Sequence, residues 1–337
     1  MTTRIFIVCV FIVLTLYATG QRKGKIPSVI FDSDMGPDYD DVGAIAMLHA
    51  FADSGKIKIL ATIASTRYEG VAGVFNVLNN YFNRPDLPIG VPHENGLDMK
   101  GGQRWSDTLL ANYPHTIKKN EDVPEASSLY RKILSQQTDN SVTIITVGFF
   151  TNLANLIKSG PDRYSKLKGI ELVRKKVKLL VSMAGRFPSG KEFNVEKDAA
   201  ASQIVFSTWP TPVLLSGFEI GMKIKVGLPL INNEGIVRSP VKDVFRISIP
   251  LAAEDSAGRM SWDETAVLVA AKGYESYYTV KKGQMVVASD GSNTWSNQGS
   301  GHAYLVEKIP YEKVRKEIEE LIQHQPKKRK SKDAVPN

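Results

Sequence analysis

The chain has a single cysteine in 337 residues, Cys9, and it lies inside a short apolar run near the amino terminus. A disulfide framework is therefore excluded, and so is a zinc site built on a Cys/His cluster. There are only five histidines. No glycine-rich phosphate loop and no nucleophilic Ser/His/Asp pattern is evident, and no internal repeat or low-complexity linker appears. Glycine, proline and charged residues occur at ordinary frequencies, and 42% of residues are hydrophobic, which excludes disorder over most of the length. That composition is enough to bury a sizeable core.

Charge of one sign is also scarce in the body of the chain. Of the net +8, Arg4 supplies one charge and the segment from Lys327 to Asp333 a net four, which leaves +3 for everything between. This is too little to point to nucleic acid. Arg4 precedes an apolar run from Ile5 to Leu16, and Ala18-Thr19-Gly20 follows it with small residues. The pattern predicts a secretory signal peptide over residues 1–20, with the protein secreted or periplasmic and no stable membrane insertion after cleavage. The run is short for a transmembrane span, and an uncleaved anchor is the alternative. Residues 325–337 are expected to be a basic, disordered tail, and residues 21–324 the folded domain. The oligomeric state, including a homo-oligomer, is left open.

Between those ends, apolar β-branched runs alternate with helix-like segments. Val29-Ile30-Phe31, Ile57 to Ala64, Val142 to Val147, Val177 to Met183 and Val213-Leu214-Leu215 read as strands. Val42 to Phe51, Val71 to Phe82, Thr151 to Ile157, Ala199 to Trp209, Glu264 to Lys272 and Tyr311 to His324 read as helices. Met285 to Tyr304 reads as a hairpin or loop around Asp290-Gly291-Ser292-Asn293. The alternation predicts an α/β fold: a single domain with a mainly parallel central sheet flanked by helices. Ligands of such sheets collect at the carboxyl ends of the strands.

One segment at such a strand end is chemically unusual. Asp32-Ser33-Asp34-Met35-Gly36-Pro37-Asp38-Tyr39-Asp40-Asp41 places five aspartates within ten residues, directly after an apolar strand. Packed carboxylates repel one another unless a cation or protons offset their charge. A hard cation such as Ca²⁺ or Mg²⁺ would do so. The spacing is not that of an EF-hand loop. On composition alone, an exposed acidic turn with helix-capping aspartates fits equally well.

Asp34-Met35-Gly36 followed by Asp40-Asp41 resembles the amino-terminal aspartate motif of the inosine–uridine-preferring nucleoside hydrolases, with two extra residues between Gly36 and the paired aspartates. The resemblance runs in order over about residues 26–310. Asn76, the turn Gly148-Phe149-Phe150-Thr151-Asn152, Glu192-Phe193-Asn194 with Asp198, and Trp262-Asp263 all carry it. It implies hydrolysis of a small-molecule nucleoside to free base and ribose, with Ca²⁺ as cofactor. Asp34, Asp41, the main chain of Thr151 and Asp263 would hold the metal. Asp34 would also be the general base. Asp40 and Asn194 would bind the ribose hydroxyls, with Asn76 near them, and Glu192 would meet the 5′ side.

Two positions depart from the common pattern. Trp262 stands where many members carry a histidine next to the last metal aspartate. It either stacks on a purine, which would favour purine nucleosides, or only packs the core. Arg186 stands where many members have an asparagine, and it either reads a different 5′ substituent or pairs with Glu192. Those departures keep open a non-catalytic nucleoside-binding protein or a hydrolase of another glycoside. His49, His93, His302, Trp105 and Trp295 are read as packing or loop residues.

Overall fold

The computed structural model describes residues 26–326, so the leader expected at 1–20 and the basic tail from Lys327 onward lie outside the described residues. Twelve strands are formed within them. They are β1 (Ser28–Ser33), β2 (Lys58–Ala64), β3 (Ile89–Gly90), β4 (Val142–Thr146), β5 (Val177–Met183), β6 (Ser189–Lys191), β7 (Val213–Ser216), β8 (Lys225–Val226), β9 (Arg259–Met260), β10 (Tyr278–Val287), β11 (Ser292–Ser296) and β12 (His302–Glu307). Ten of these form one sheet in the order β3-β2-β1-β4-β5-β7-β12-β10-β11-β6. The first seven in that order run parallel, and the last three join antiparallel. The expected α/β architecture with a mainly parallel sheet is what the chain forms. The expected hairpin at Met285 to Tyr304 is larger than its sequence signal: β10 begins at Tyr278, and β12 continues into the parallel sheet by pairing with β7.

Strands covered on both faces alternate their side chains between two cores, which explains their continuous apolar runs. Val29 and Phe31 of β1 pack on one face with Ile145, Val181 and Leu214. Ile30 packs on the other with Ile144, Leu180, Val213 and Leu215. The helix Asp40–Asp53 lies inside the first core, and every residue from Asp40 to Phe51 is buried. It is apolar all round because the helices Trp262–Lys272 and Tyr311–Ile322 cover it. No helix among the described residues is long and apolar enough to cross a membrane.

Asp32 ties the two cores together beneath the strand ends. It is fully buried and accepts hydrogen bonds from the Tyr130 hydroxyl at 2.8 Å and the Asn152 amide at 3.1 Å. Asn152 also donates to the Ala64 carbonyl at 2.7 Å, which pins the ends of β1 and β2 to the helix Thr151–Lys158. Tyr130→Phe removes a donor from a buried acceptor and is expected to destabilise the fold by about 1–3 kcal/mol in a denaturant titration. A change under about 0.5 kcal/mol, the scale of an ordinary surface substitution, would show that Asp32 is not a tie.

Candidate active site

The acidic loop leaves β1 through a backbone conformation that side chains seldom adopt: Met35 has φ 24°. The turn is held by hydrogen bonds on every side. The Met35 amide donates to Ser33 Oγ at 3.1 Å and Asp41 Oδ1 at 3.2 Å, and its carbonyl accepts from the Tyr68 hydroxyl at 2.8 Å. Gly148, in the turn after β4, lies so close that a Cβ there would come within 2.4 Å of the Asp34 amide and of Ser65 Oγ. A glycine is needed for this contact.

Helix amino termini surround the loop. Asp40 and Asp41 open the helix Asp40–Asp53, Asp263 is the second residue of Trp262–Lys272, and Glu192 caps Phe193–Lys197. Carboxylates are favoured at such ends, where unpaired N–H groups and the helix dipole present positive charge. Glu192 accepts from the amides of Gly185, Asn194 and Val195. Asp198 accepts from the amide and hydroxyl of Thr151 at 2.7 and 2.8 Å.

The result is a cavity of about 260 Å³ lined on its inner side by Asp34, Asp40, Asp263, Glu192 and Asn194. Its outer wall includes Phe193, Phe218, Arg259, Met260 and Trp262. It opens at the carboxyl ends of the parallel strands. A larger cavity of about 840 Å³ opens at their amino ends, beside Pro27, Ser141, Leu179 and Val213. We place the chemistry in the smaller one. Among the described residues, Asp40, Asp41 and Asp263 are the group whose acid oxygens all come within 4.8 Å of one another.

These acids are not equivalent. Asp41 is fully buried, and its Oδ1 accepts from Ser33 Oγ at 2.5 Å and the Met35 amide, while Oδ2 has no hydrogen-bond partner. An unpartnered buried carboxylate oxygen is costly, and a cation would satisfy it. Burial, then the neighbouring Asp41 charge, holds the Asp34 carboxyl well above the ordinary range. Burial, then Asp41 and Asp34, does the same for Asp263. This oxygen-only, acid-rich cluster suits a hard divalent cation.

Asp40 differs. Its Oδ1 accepts from Arg259 Nε at 3.2 Å and Nη2 at 2.8 Å, and its Oδ2 from the amides of Trp262 at 3.1 Å and Asp263 at 3.2 Å. Burial and the charge of Asp263 raise this carboxyl, and the hydrogen bond from the Asp263 amide opposes that. Both oxygens are engaged within the protein, so Asp40 has little left for a ribose hydroxyl. The expectation is narrowed: Asp40 lines the cavity in a positioning role, and its contact with the sugar is a proposal.

Two further expectations are corrected. Asn76 does not line the cavity. Its carbonyl oxygen accepts from the Thr116 amide at 2.7 Å and from Asn80 Nδ2 at 3.3 Å, and it braces the loop after Pro114. Arg186 is not paired with Glu192, whose hydrogen-bond donors are backbone amides. It is exposed, and its guanidinium lies 5.0 Å over the Phe218 ring on the rim. Thr151 stands at the start of its helix beside the site, with Val147 lining the cavity at that strand end. Asn194 is a lining residue anchored by its amide to the Val147 carbonyl at 3.1 Å. Trp262 lines the outer wall, but its indole N–H donates to the Phe218 carbonyl at 2.8 Å. His49, His93, His302, Trp105 and Trp295 all lie away from this cavity.

Sequence reasoning missed Arg259 altogether. It is 7% exposed and pairs with Asp38 as well as Asp40. Burial lowers its pKa to about 10, which leaves it charged at neutral pH. It lies on the two-residue strand β9, next to the motif Trp262-Asp263, and a lone arginine near a motif carries no pattern of its own.

A profile of the inosine-uridine preferring nucleoside hydrolases matches residues 29–316. The chain belongs to this nucleoside hydrolase family. The pyrimidine-specific ribonucleoside hydrolase RihA of Klebsiella pneumoniae (strain 342) is 26% identical over 212 residues, covering 57% of this chain and 61% of that one. The aligned part is thus about three fifths of the relative's length. Among solved structures, a plant nucleoside hydrolase superposes with a TM-score of 0.69 at 20% identity, over 89% of this chain and 99% of that one. A purine-preferring ribonucleoside hydrolase from Gardnerella vaginalis gives 0.70 at 16% identity, over 88% and 98%. At these identities the structural likeness establishes the nucleoside hydrolase fold.

The acids of this nucleoside hydrolase predict a pH signature. Burial raises Asp32 from 3.8 to about 7, Glu192 from 4.5 to about 7 and Glu264 from 4.5 to about 8. The folded chain therefore holds protons that the unfolded chain has released, so stability falls as pH rises from about 4–5 through 8. A cation bound beside Asp34 and Asp263 would displace their protons, and its binding would strengthen with pH. The chelated protein is expected to melt lower at about pH 8 than at about pH 5.5, with calcium raising Tm more at the higher pH. A flat or rising Tm in the chelated protein would contradict this.

Proposed function

We propose that this chain hydrolyses the N-glycosidic bond of ribonucleosides, with purine nucleosides as the preferred class and Ca²⁺ as the resident cation. The observation that carries the reading is the acid cluster at the strand ends: Asp34, Asp40 and Asp263 line the cavity, and the buried Asp41 brings an acid oxygen within 4.8 Å of those of Asp40 and Asp263. The Thr151 main-chain carbonyl is proposed as a further ligand. A cation bound there would acidify a water and align the cis 2′- and 3′-hydroxyls of ribose.

The remaining work belongs to the side chains. Asp34 accepts the proton of the attacking water as general base. Asn194 is fixed by its amide on Val147, so its carbonyl oxygen is presented to a ribose hydroxyl. Glu192, held by three backbone amides, stands at the 5′ side of the sugar. The transition state carries positive charge at the anomeric carbon, and this carboxylate-rich wall stabilises it. Phe193, Phe218 and Met260 supply an apolar wall on which a two-ring base covers more area than a one-ring base. The leader-like residues 1–20 support export of the enzyme.

The test is ribose release from inosine, adenosine, guanosine and uridine, with and without a calcium chelator. We expect purine nucleosides to be cleaved faster than uridine, and chelation to abolish release. Asp34→Ala should lower kcat by about 10²–10⁴-fold or more, the scale of a positioned base. Tight nucleoside binding with no ribose released would make the chain a binding protein. No interaction with any nucleoside would point to another glycoside.

A further inference from the structure

Among the described residues, Arg259 is the one Lys or Arg lining the cavity. Its guanidinium carbon lies 4.7 Å from the centre of the Tyr39 ring and 5.1 Å from that of Trp262. Asp40 and Asp38 hold Nε and Nη2. The Nη1 atom forms no hydrogen bond among the described residues, and its ion-pair contact is to Asp255 at 3.5 Å. A guanidinium has five N–H donors, and those on Nη1 are the least engaged, with only the Asp255 ion pair against them.

A departing base takes the electron pair of the glycosidic bond and needs a proton or a positive partner. Trp262 supplies neither, because its N–H is bonded to the Phe218 carbonyl and Phe218 and Arg259 already lie against its ring. Glu254, on the same wall, carries the wrong charge for a departing anion unless it brings a proton. We propose that Arg259 stabilises the leaving base, donating hydrogen bonds to an acceptor atom beside the glycosidic nitrogen. The proposal rests on the hydrolase reading above. In the step, the C1′–N bond breaks with its electrons going to the base, and the water oxygen bonds to C1′. The water proton goes to Asp34, and the base leaves as an anion paired with the guanidinium, to be protonated by solvent. The two carboxylates fix the plane of the guanidinium, so the donors are aimed before the substrate arrives.

The experiment compares inosine with 4-nitrophenyl β-D-ribofuranoside, whose nitrophenolate leaves without help. It uses the full calcium-loaded chain as wild type, Arg259→Lys, Arg259→Ala and Glu254→Gln, with calcium binding checked by calorimetry. Arg259→Ala is expected to lower kcat/KM for inosine by about 10²–10³-fold more than for the nitrophenyl riboside, whose own smaller loss reports the release of Asp40. Arg259→Lys should fall between wild type and Arg259→Ala on inosine alone. Equal loss on both substrates, total inactivity included, would overturn the proposal and leave Arg259 a structural strut. A loss specific to inosine in Glu254→Gln but not in the arginine variants would overturn it in favour of a carboxylic acid. A wild type that cleaves neither substrate removes the hydrolase reading itself.

Discussion

Asp40 joins the two halves of the site. It opens the buried helix that follows the acidic loop, and its two oxygens receive four donors from residues 219 to 223 positions away. That tie adds to the packing of the helix Trp262–Lys272 on the helix Asp40–Asp53 and fixes its amino terminus, with Asp263, beside the acidic loop. Removing either member of a buried, hydrogen-bonded ion pair leaves an uncompensated charge, at a cost of about 3–5 kcal/mol.

The tie also sorts the aspartates. Asp32 faces Tyr130 and Asn152 beneath the sheet edge, and Asp38 and Asp40 face Arg259. Asp34, Asp41 and Asp263 have no salt bridge to a protein cation, although the Arg259 charge still acts on Asp263. Like charges this close in a dry pocket repel strongly, and the fold offsets part of the cost with helix amino termini. What is not offset is the drive to take a cation. A cluster that was neutral overall would be stable and inert.

Much of this was legible from the chain. The β-branched runs at Val142 to Val147 and Val177 to Met183 are strands because both faces are covered, and such strands advertise themselves as continuous apolar segments. The five-aspartate loop was visible because buried acids are rare. Asp41 and Asp263 were placed by resemblance, and the structure brings them within reach of each other. Asn76 and Arg259 were not legible. Asn76 lies on a helix near the site, but which way a helical residue faces depends on what packs there, and the loop after Pro114 packs against it. Arg259 meets Asp40 across 219 residues, a pairing that no local pattern encodes. The divided roles of Asp40 and Asp41, adjacent in sequence and alike in chemistry, follow from the helix turn that points them at different partners.

The central claim is this division of the acids, and a crystal structure of the calcium-loaded protein with ribose tests it directly. The account predicts one ion bound by Asp34, Asp41 and Asp263, with Asp40 still on Arg259 and the amides of Trp262 and Asp263. An ion ligated by Asp40, with Arg259 released, or an ion bound away from this loop, would contradict it.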